Sequence, residues 1–301
     1  MLPVRMIYMD MDKVDPRTQV LIEALPYIQK FHGEKIVIKF GGSVMVDESL
    51  KRTVAEDIVL LQYVGFKPVV VHGGGPKIAD TLSRMAIDTE FIEGLRVTNE
   101  ETMEVVEMVL AGRVNKDVVN LINRAGARAI GLSGKDGQML IARPHPSAEK
   151  LEVDLGQVGQ IASVNSQPIE LLEEKGYVPV IAPIGIDKEG MTYNMNADEV
   201  AGAIASALNA RKLIYLTDVE GVMDNGQRIS TLYSAGIRKK IEEGIVAGGM
   251  IPKVLSARDA VENGVGKAHI INGSRPHSLL LELLTREGIG TQVLAGVEHL
   301  E

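Results

Sequence analysis

Glycine collects where β-rich runs hand over to helical ones: Gly41-Gly42 after Ile36–Phe40, Gly73-Gly74-Gly75 after Val69–Val71, and Gly248-Gly249 ahead of a helix near Val254. A turn of this kind lets the backbone approach an anion closely and aims amide N–H groups and a helix start at it. A single Gly-Gly pair is more often only a tight turn. Three clusters, each near a lysine or a helix start, point to phosphate handling. Lys39 lies inside an otherwise apolar strand, two residues before Gly41. A lysine there is rarely buried without an anionic partner; snorkelling from an edge strand is the alternative. Asn194, Asn196 and Asp198 recur at i, i+2 and i+4 ahead of the next helix, more polar groups than one cap needs. Thr217-Asp218 closes an apolar run, where open α/β sheets bind ligands.

Other chemistries are excluded by residue type. Gly134-Lys135 and Gly266-Lys267 lack the rest of a G-x-x-x-x-G-K-[ST] loop, and Gly264-Val265-Gly266 does not continue into G-x-G-x-x-G. No G-x-S-x-G elbow marks a serine nucleophile. The chain has no cysteine, so thiolate and disulfide chemistry are ruled out. Its 6 histidines include no ligand-spaced pair, and no protein-held metal is expected. With 32 Lys+Arg against 40 Asp+Glu, the net charge of −8 argues against a nucleic-acid partner. No long apolar run suggests a membrane span or a secretion signal, and a cytoplasmic protein is expected.

For these residues to meet, the elements carrying them must share one framework. Thr18–Phe31 reads as a helix with an apolar stripe of Val20, Leu21, Ala24, Leu25 and Ile28; Pro26 predicts a kink or an early end. Residues 1–17 ahead of it have no period and read as a mobile leader. Strand and helix then alternate: strand Ile36–Phe40, helix Glu48–Val64, strand Val69–Val71, a helix from Lys77, and a helix towards Leu110 opened by a Thr98/Glu101 capping box. Strands follow at Ala129–Leu132, Val178–Ile181, Leu213–Leu216 and Ala268–Ile271, helices at Glu199–Leu208 and Val254–Glu262. His145–Glu152 reads as a polar insertion or hairpin. Apolar strands without alternation, separated by helices, predict an α/β fold: a three-layer αβα sandwich with a mainly parallel central sheet.

Taken together and in order, Ile38-Lys39-Phe40-Gly41-Gly42-Ser43, Val71-His72-Gly73-Gly74-Gly75-Pro76, Asn194-Met195-Asn196-Ala197-Asp198, Leu216-Thr217-Asp218-Val219-Glu220-Gly221-Val222 and Gly248-Gly249-Met250-Ile251-Pro252-Lys253 closely resemble the amino acid kinase family. The likeness runs from about residue 20 to residue 294, and Gly94–Thr98 resembles that family's substrate-arginine segment. Within the family it points to the branch that phosphorylates the γ-carboxylate of N-acetyl-L-glutamate with ATP and Mg²⁺ in arginine biosynthesis. The resemblance implies a leader and oligomerisation helix over 1–32, a lobe for the acyl amino acid and dimer contact over 33–192, and a lobe for ATP over 193–301. It implies that Lys39 and Lys253 stabilise the transferring phosphoryl group, that Asp198 holds both lysines, and that amides around Gly42 and Gly74 line the phosphate path. Gly73, Gly74, Gly75, Arg96, Asn194 and Asn196 would surround the acceptor. Gly41, Gly42, Thr217, Asp218, Gly249 and the two lysines would lie by the nucleotide. A carboxylate acceptor is already ionised at neutral pH and needs no general base.

The helix ahead of the first strand and the Glu282…Gly288-Ile289-Gly290-Thr291 segment resemble the arginine-inhibited members of the family, which implies dimers interlaced into a hexamer and an L-arginine site near Glu282, Gly288, Lys212 and His277. The alternatives are a helix packed on its own subunit and a solvated Glu282. Two rival functions stay open: a kinase for the longer N-acetyl-aminoadipate in lysine biosynthesis, and a catalytically weak arginine-sensing protein.

Overall fold

The computed structural model describes residues 15–147, 153–285 and 288–297. Eight strands join into one sheet in the spatial order Thr231–Tyr233, Thr291–Leu294, Ala268–Asn272, Lys212–Thr217, Lys35–Phe40, Lys67–His72, Val178–Ala182, Ala129–Ser133. From Ala268–Asn272 to Ala129–Ser133 the strands are parallel; Thr291–Leu294 runs antiparallel to its inner neighbour and carries Thr231–Tyr233 with it at the edge. Ile36–Phe40, Pro68–His72 and Lys212–Thr217 are buried throughout, as expected of strands covered on both faces.

Alternation along these strands divides two cores. Ile36, Ile38, Val70 and Ile214 pack with Ile58 and Leu61 of helix Glu48–Tyr63 and with Leu279 and Leu283 of helix Ser278–Leu284. Val37, Val69, Val71 and Tyr215 face the other way, against Val200 and Ile204 of helix Ala197–Ala207 and Ala257 of helix Met250–Glu262. The three-layer αβα sandwich is therefore present. Beside it stands a small closed barrel of Leu140–Pro144, Val158–Val164, Ile184–Ile186 and Thr192–Met195, which the sequence did not announce. Its last strand runs straight into helix Ala197–Ala207 and so delivers Asn194, Asn196 and Asp198.

Several local expectations change. The first helix spans Pro16–Phe31 and continues through Pro26; Ile22, four residues back, is exposed, so water can take the carbonyl that the proline leaves without a donor. The capping residue of helix Glu100–Glu107 is Asn99, whose Oδ1 accepts from Thr102 N at 2.8 Å, and not Thr98. Thr98 is drawn into a bridge with Gly156 and buries its hydroxyl on the Arg96 carbonyl at 2.7 Å. That helix does not stop near Leu110: it passes through a π-helical turn, Met108–Val114, and continues as Asn115–Ala125 to Gly126. Leu140–Pro144 and Val158–Val164 pair antiparallel, so the polar segment read at His145–Glu152 connects two barrel strands; its residues 148–152, like leader residues 1–14, lie outside the described residues. Among the described residues no helix is long and apolar enough to cross a membrane.

Candidate active site

Lys39 lies near the carboxyl end of Lys35–Phe40, with strands paired on both sides, so it is central and cannot snorkel from an edge. Its Nζ forms an ion pair with Asp198 Oδ1 at 2.9 Å, and Lys253 Nζ donates to Asp198 Oδ2 at 3.1 Å. Asp198 sits in the first turn of Ala197–Ala207, where Asn196 caps the helix by accepting from Asp198 N at 2.8 Å. Lys253 sits in the first turn of Met250–Glu262, whose N-cap is Gly249. Two helix starts and one strand end thus converge on a single carboxylate. Burial pushes that carboxyl up, but Lys39 and Lys253 together outweigh burial and hold it below the ordinary aspartate range. One anion between two cations leaves a net positive charge at the sheet edge. The backbone is clamped as well, since the Asp198 carbonyl accepts from Ser256 Oγ at 2.8 Å and from the Tyr215 hydroxyl at 3.3 Å.

The glycines make this approach possible. A Cβ on Gly41 would stand 2.5 Å from Lys39 Nζ, so only glycine lets the lysine fold back over the turn. Gly42 has φ +67° and Gly248 φ +54°, both in the left-handed region that glycine favours. Gly73 N donates to the Phe40 carbonyl at 2.8 Å, which binds the first two glycine turns together.

Beside the lysines opens a cleft of about 460 Å³, lined by Lys39, Gly73, Gly74, Gly75, Arg96, Asn194, Asn196 and Asp198. Arg96 is buried under the ring of Phe91 at 4.5 Å and donates to Thr89 Oγ1 at 2.7 Å and to the Gly75 carbonyl at 3.3 Å. Burial lowers its pKa, yet a guanidinium stays charged. Asn194 Nδ2 donates to Thr98 Oγ1 at 3.1 Å. Every sequence-predicted acceptor residue therefore faces one cleft, joined by Phe91, which sequence reasoning missed. Lys253 and Gly249 line a wider groove of about 1270 Å³ that shares Asn196 and Asp198 with the cleft. Thr217 and Asp218 stand at the end of the strand next to that of Lys39, the Thr217 hydroxyl donating to Asp218 Oδ1 at 3.2 Å.

A second cavity of about 270 Å³ lies behind, between the N-terminal helix and the last strand, lined by Tyr27, Lys30, Lys212, His269, Glu282 and Gly288 among others. Burial pushes the Lys212 ammonium down to about 8, with Glu282 opposing that shift. Glu282 Oε1 is 2.5 Å from His269 Nδ1, and Oε2 accepts from Ile289 N at 2.6 Å. His277 does not line this cavity; its Nδ1 is 2.6 Å from Asp57 Oδ1, on the flank of helix Glu48–Tyr63. His269 was overlooked because it sits in a run read as an apolar strand; a histidine amid such residues was the available signal.

A parallel sheet with glycine turns and a Lys–Asp–Lys cluster at its carboxyl edge defines an αβα protein built to handle phosphoryl groups. The chain belongs to the amino acid kinase family, which it matches over residues 34–272. The acetylglutamate kinase of Methanocaldococcus jannaschii is 50% identical over 295 residues, 95% of this chain and 98% of the relative. That of Thermoanaerobacter pseudethanolicus is 54% identical over 281 residues, 92% of this chain and 93% of its own. Among solved structures, N-acetylglutamate synthase from Neisseria gonorrhoeae, complexed with coenzyme A and N-acetyl-glutamate, matches 94% of this chain with a TM-score of 0.83 at 26% identity; the chain spans 65% of that synthase's length. Carbamate kinase from Giardia lamblia bound to AMP-PNP shares the fold over 88% of this chain and 99% of its own, with a TM-score of 0.65 at 17% identity.

Proposed function

We propose that this chain transfers the γ-phosphoryl group of ATP to the γ-carboxylate of N-acetyl-L-glutamate, giving N-acetyl-L-glutamyl 5-phosphate for arginine biosynthesis. The observation that carries the reading is the Lys39–Asp198–Lys253 cluster facing a cleft lined by Arg96, Asn194 and Asn196. It is supported by relatives of about 50% identity over nearly the whole chain that bear the name acetylglutamate kinase.

In this reading Arg96 grips the α-carboxylate of the acceptor, while Asn194, Asn196 and the Gly73–Gly75 amides orient the rest. A γ-carboxylate oxygen attacks the γ-phosphorus, and the bond to the β,γ-bridging oxygen breaks with its electron pair leaving on ADP; no proton moves. Catalysis is then positioning plus neutralisation of charge on the phosphoryl oxygens. Lys39, Lys253 and the Gly42 and Gly74 amides supply the positive ends, and Asp198 orients the lysines. Thr217, Asp218, Gly41 and Gly249 flank the nucleotide. Mg²⁺ accompanying ATP would neutralise charge on its phosphates; Asp198, with both oxygens engaged by lysines, would not be its holder. The acceptor lies mainly with residues 33–192, with Asn194 and Asn196 reaching over to it, and the nucleotide mainly with 193–301, with Lys39, Gly41 and Gly42 reaching over to it.

ADP release in the presence of Mg²⁺, measured with N-acetyl-L-glutamate and N-acetyl-aminoadipate side by side, tests this. Strong preference for the shorter acid is expected. Preference for the longer one moves the enzyme to lysine biosynthesis, and silence with both returns an arginine-sensing role to the front.

The Lys212–Glu282–Gly288 cavity is the proposed L-arginine site, with Glu282 for the guanidinium and Tyr27 and Lys30 bringing the N-terminal helix to its rim. A Neisseria synthase solved with coenzyme A and L-arginine, with a TM-score of 0.78 at 27% identity, supports L-arginine as a ligand of this fold. Interlaced N-terminal helices would join dimers into a hexamer.

A further inference from the structure

The Gly73-Gly74-Gly75 turn is backed by two buried polar side chains that the proposed chemistry does not touch. His72 and Asn115 are both 0% exposed. Asn115 follows directly on the π-helical turn Met108–Val114; such turns shift side-chain register and are frequent at functional sites. Leu110 and Val114 of that turn press on Gly74, where an added Cβ would fall 2.4 Å from Leu110 Cδ2 and 3.5 Å from Val114 Cγ2.

The Asn115 amide has a defined orientation. Its Oδ1 accepts from Lys116 Nζ at 3.0 Å, while Nδ2, which has no lone pair to accept with, donates to the Val180 carbonyl at 2.9 Å, reaches the Leu132 carbonyl more weakly at 3.4 Å and lies 3.2 Å from His72 Nε2. Gly131 leaves the room for it, since a Cβ there would sit 1.7 Å from Asn115 Oδ1. With an N–H pointed at it, Nε2 must accept, so the neutral ring carries its proton on Nδ1 and donates to the Gly73 carbonyl at 2.9 Å. Burial pushes the imidazole down to about 4, with Lys116 adding to the shift and the Gly73 carbonyl opposing it. The ring is therefore neutral at the pH of metabolism. In a trans peptide the C=O and the following N–H point in opposite directions. Holding the Gly73 carbonyl on the buried side aims the Gly74 N–H away from it.

We propose that Asn115 and His72 are positioning residues for phosphoryl transfer, which together fix the Gly73–Gly74 peptide plane and so aim the Gly74 amide at the transferring group. The inference rests on the acetylglutamate kinase reading, in which Gly74 lies on the phosphate path. Neither side chain touches substrate; Asn115 acts through His72, and His72 through the Gly73 carbonyl.

Three variants and the parent decide it, each measured for kcat and KM with N-acetyl-L-glutamate, MgATP affinity and melting temperature. His72→Asn places an amide N–H where Nδ1–H stood and should keep kcat within about threefold. His72→Leu cannot donate, and a turn displaced by about 1 Å should lower kcat by about 100-fold at unchanged MgATP affinity. Asn115→Asp turns the donor at Nε2 into an acceptor, moves the ring proton to Nε2, and should match that loss. It should also add a pH dependence between about pH 6 and 8 that the parent lacks, because the carboxylate raises the imidazole into that range. In the parent, ¹⁵N signals of His72 should report an Nδ1-protonated neutral ring. An Nε2-protonated ring, full activity in His72→Leu, or His72→Asn falling as far as His72→Leu would each overturn the proposal. So would MgATP affinity and melting temperature collapsing in step with kcat, which marks a purely structural pair. A parent silent with N-acetyl-L-glutamate refutes the reaction instead, and the ring tautomer then decides the inference: Nδ1–H supports it and Nε2–H sinks it.

Discussion

A lysine in the centre of a buried strand is expensive unless an anion meets it, and Lys39 is met by a carboxylate that a second lysine also holds. In the proposed transfer the arrangement would fix both cations before any phosphate arrives, leaving little reorganisation for the reaction itself. Because Asp198 lies below the ordinary aspartate range, its carboxylate keeps its charge and its hold on both lysines through neutral pH and loses them only in acid, as pH falls through that lowered value. Lys39→Ala should leave the fold intact, since Asp198 keeps Lys253, and should lower kcat by about 10²–10³, the scale for losing one transition-state charge contact. Turnover near the parent's at saturating MgATP and acceptor would remove Lys39 from the reaction. The residue types at this site were legible in advance because each broke a local rule: a lysine in an apolar strand, three polar groups where one cap suffices. His269 broke the same rule as Lys39 and was passed over, whereas Asn115 broke none that stood out; its partner His72 lies 43 residues away, and only tertiary folding shows it.

At the scale of elements, the site depends on how closely helices Ala197–Ala207 and Met250–Glu262 approach. Gly202 sets that distance: a Cβ there would stand 2.6 Å from Ser256 Oγ and 3.4 Å from the Tyr215 hydroxyl. Those two hydroxyls, 2.7 Å apart, both reach the Asp198 carbonyl. Gly202→Ala should cost about 1–3 kcal/mol of stability through overpacking and lower kcat by shifting Asp198 from Lys253. Ser256→Ala should cost stability by itself, but in the double variant the losses should fall short of additive, because the smaller side chain relieves the clash. Urea denaturation and kcat across the cycle check this; strict additivity would mean the helices are spaced by something else. The sheet strands were readable because burial on both faces leaves unbroken apolar runs. The barrel strands were not: Thr192–Met195 is 4 residues long and Val158–Val164 is only partly buried, so pairing at long range defines them rather than any local period. The Asn99 cap went to the neighbour of the expected residue for the same reason, since the Thr98 bridge to Gly156 is invisible locally.

At the scale of the whole molecule, the N-terminal helix is fastened at one end only. Its carboxyl end is anchored: Phe31 is buried, 5.7 Å from the ring of Phe66, with the Lys212 ammonium 5.0 Å from its own ring. Its first half is not, for Val20 and Leu21 are 65% and 73% exposed and Ile22 and Leu25 about half. A contiguous apolar stretch of that kind asks for a partner surface, and a second copy of the same helix would satisfy it symmetrically. Because Tyr27 and Lys30 of this helix line the Glu282 cavity, a ligand in the proposed site would touch the element that would join dimers, and binding and assembly would then be linked. Leu21→Glu places a charge in the proposed joint, far from the Lys39 cluster. It should reduce the assembly from hexamer to dimer in sedimentation while leaving kcat without arginine unchanged, and it should weaken inhibition by arginine. An unchanged sedimentation coefficient would return the helix to its own subunit. A smaller assembly with full arginine sensitivity would separate the cavity from the joint, leaving Glu282 to act through Ile289 and the strand Thr291–Leu294, where Val222 N, four residues after Asp218, donates to Thr291 Oγ1 at 2.9 Å.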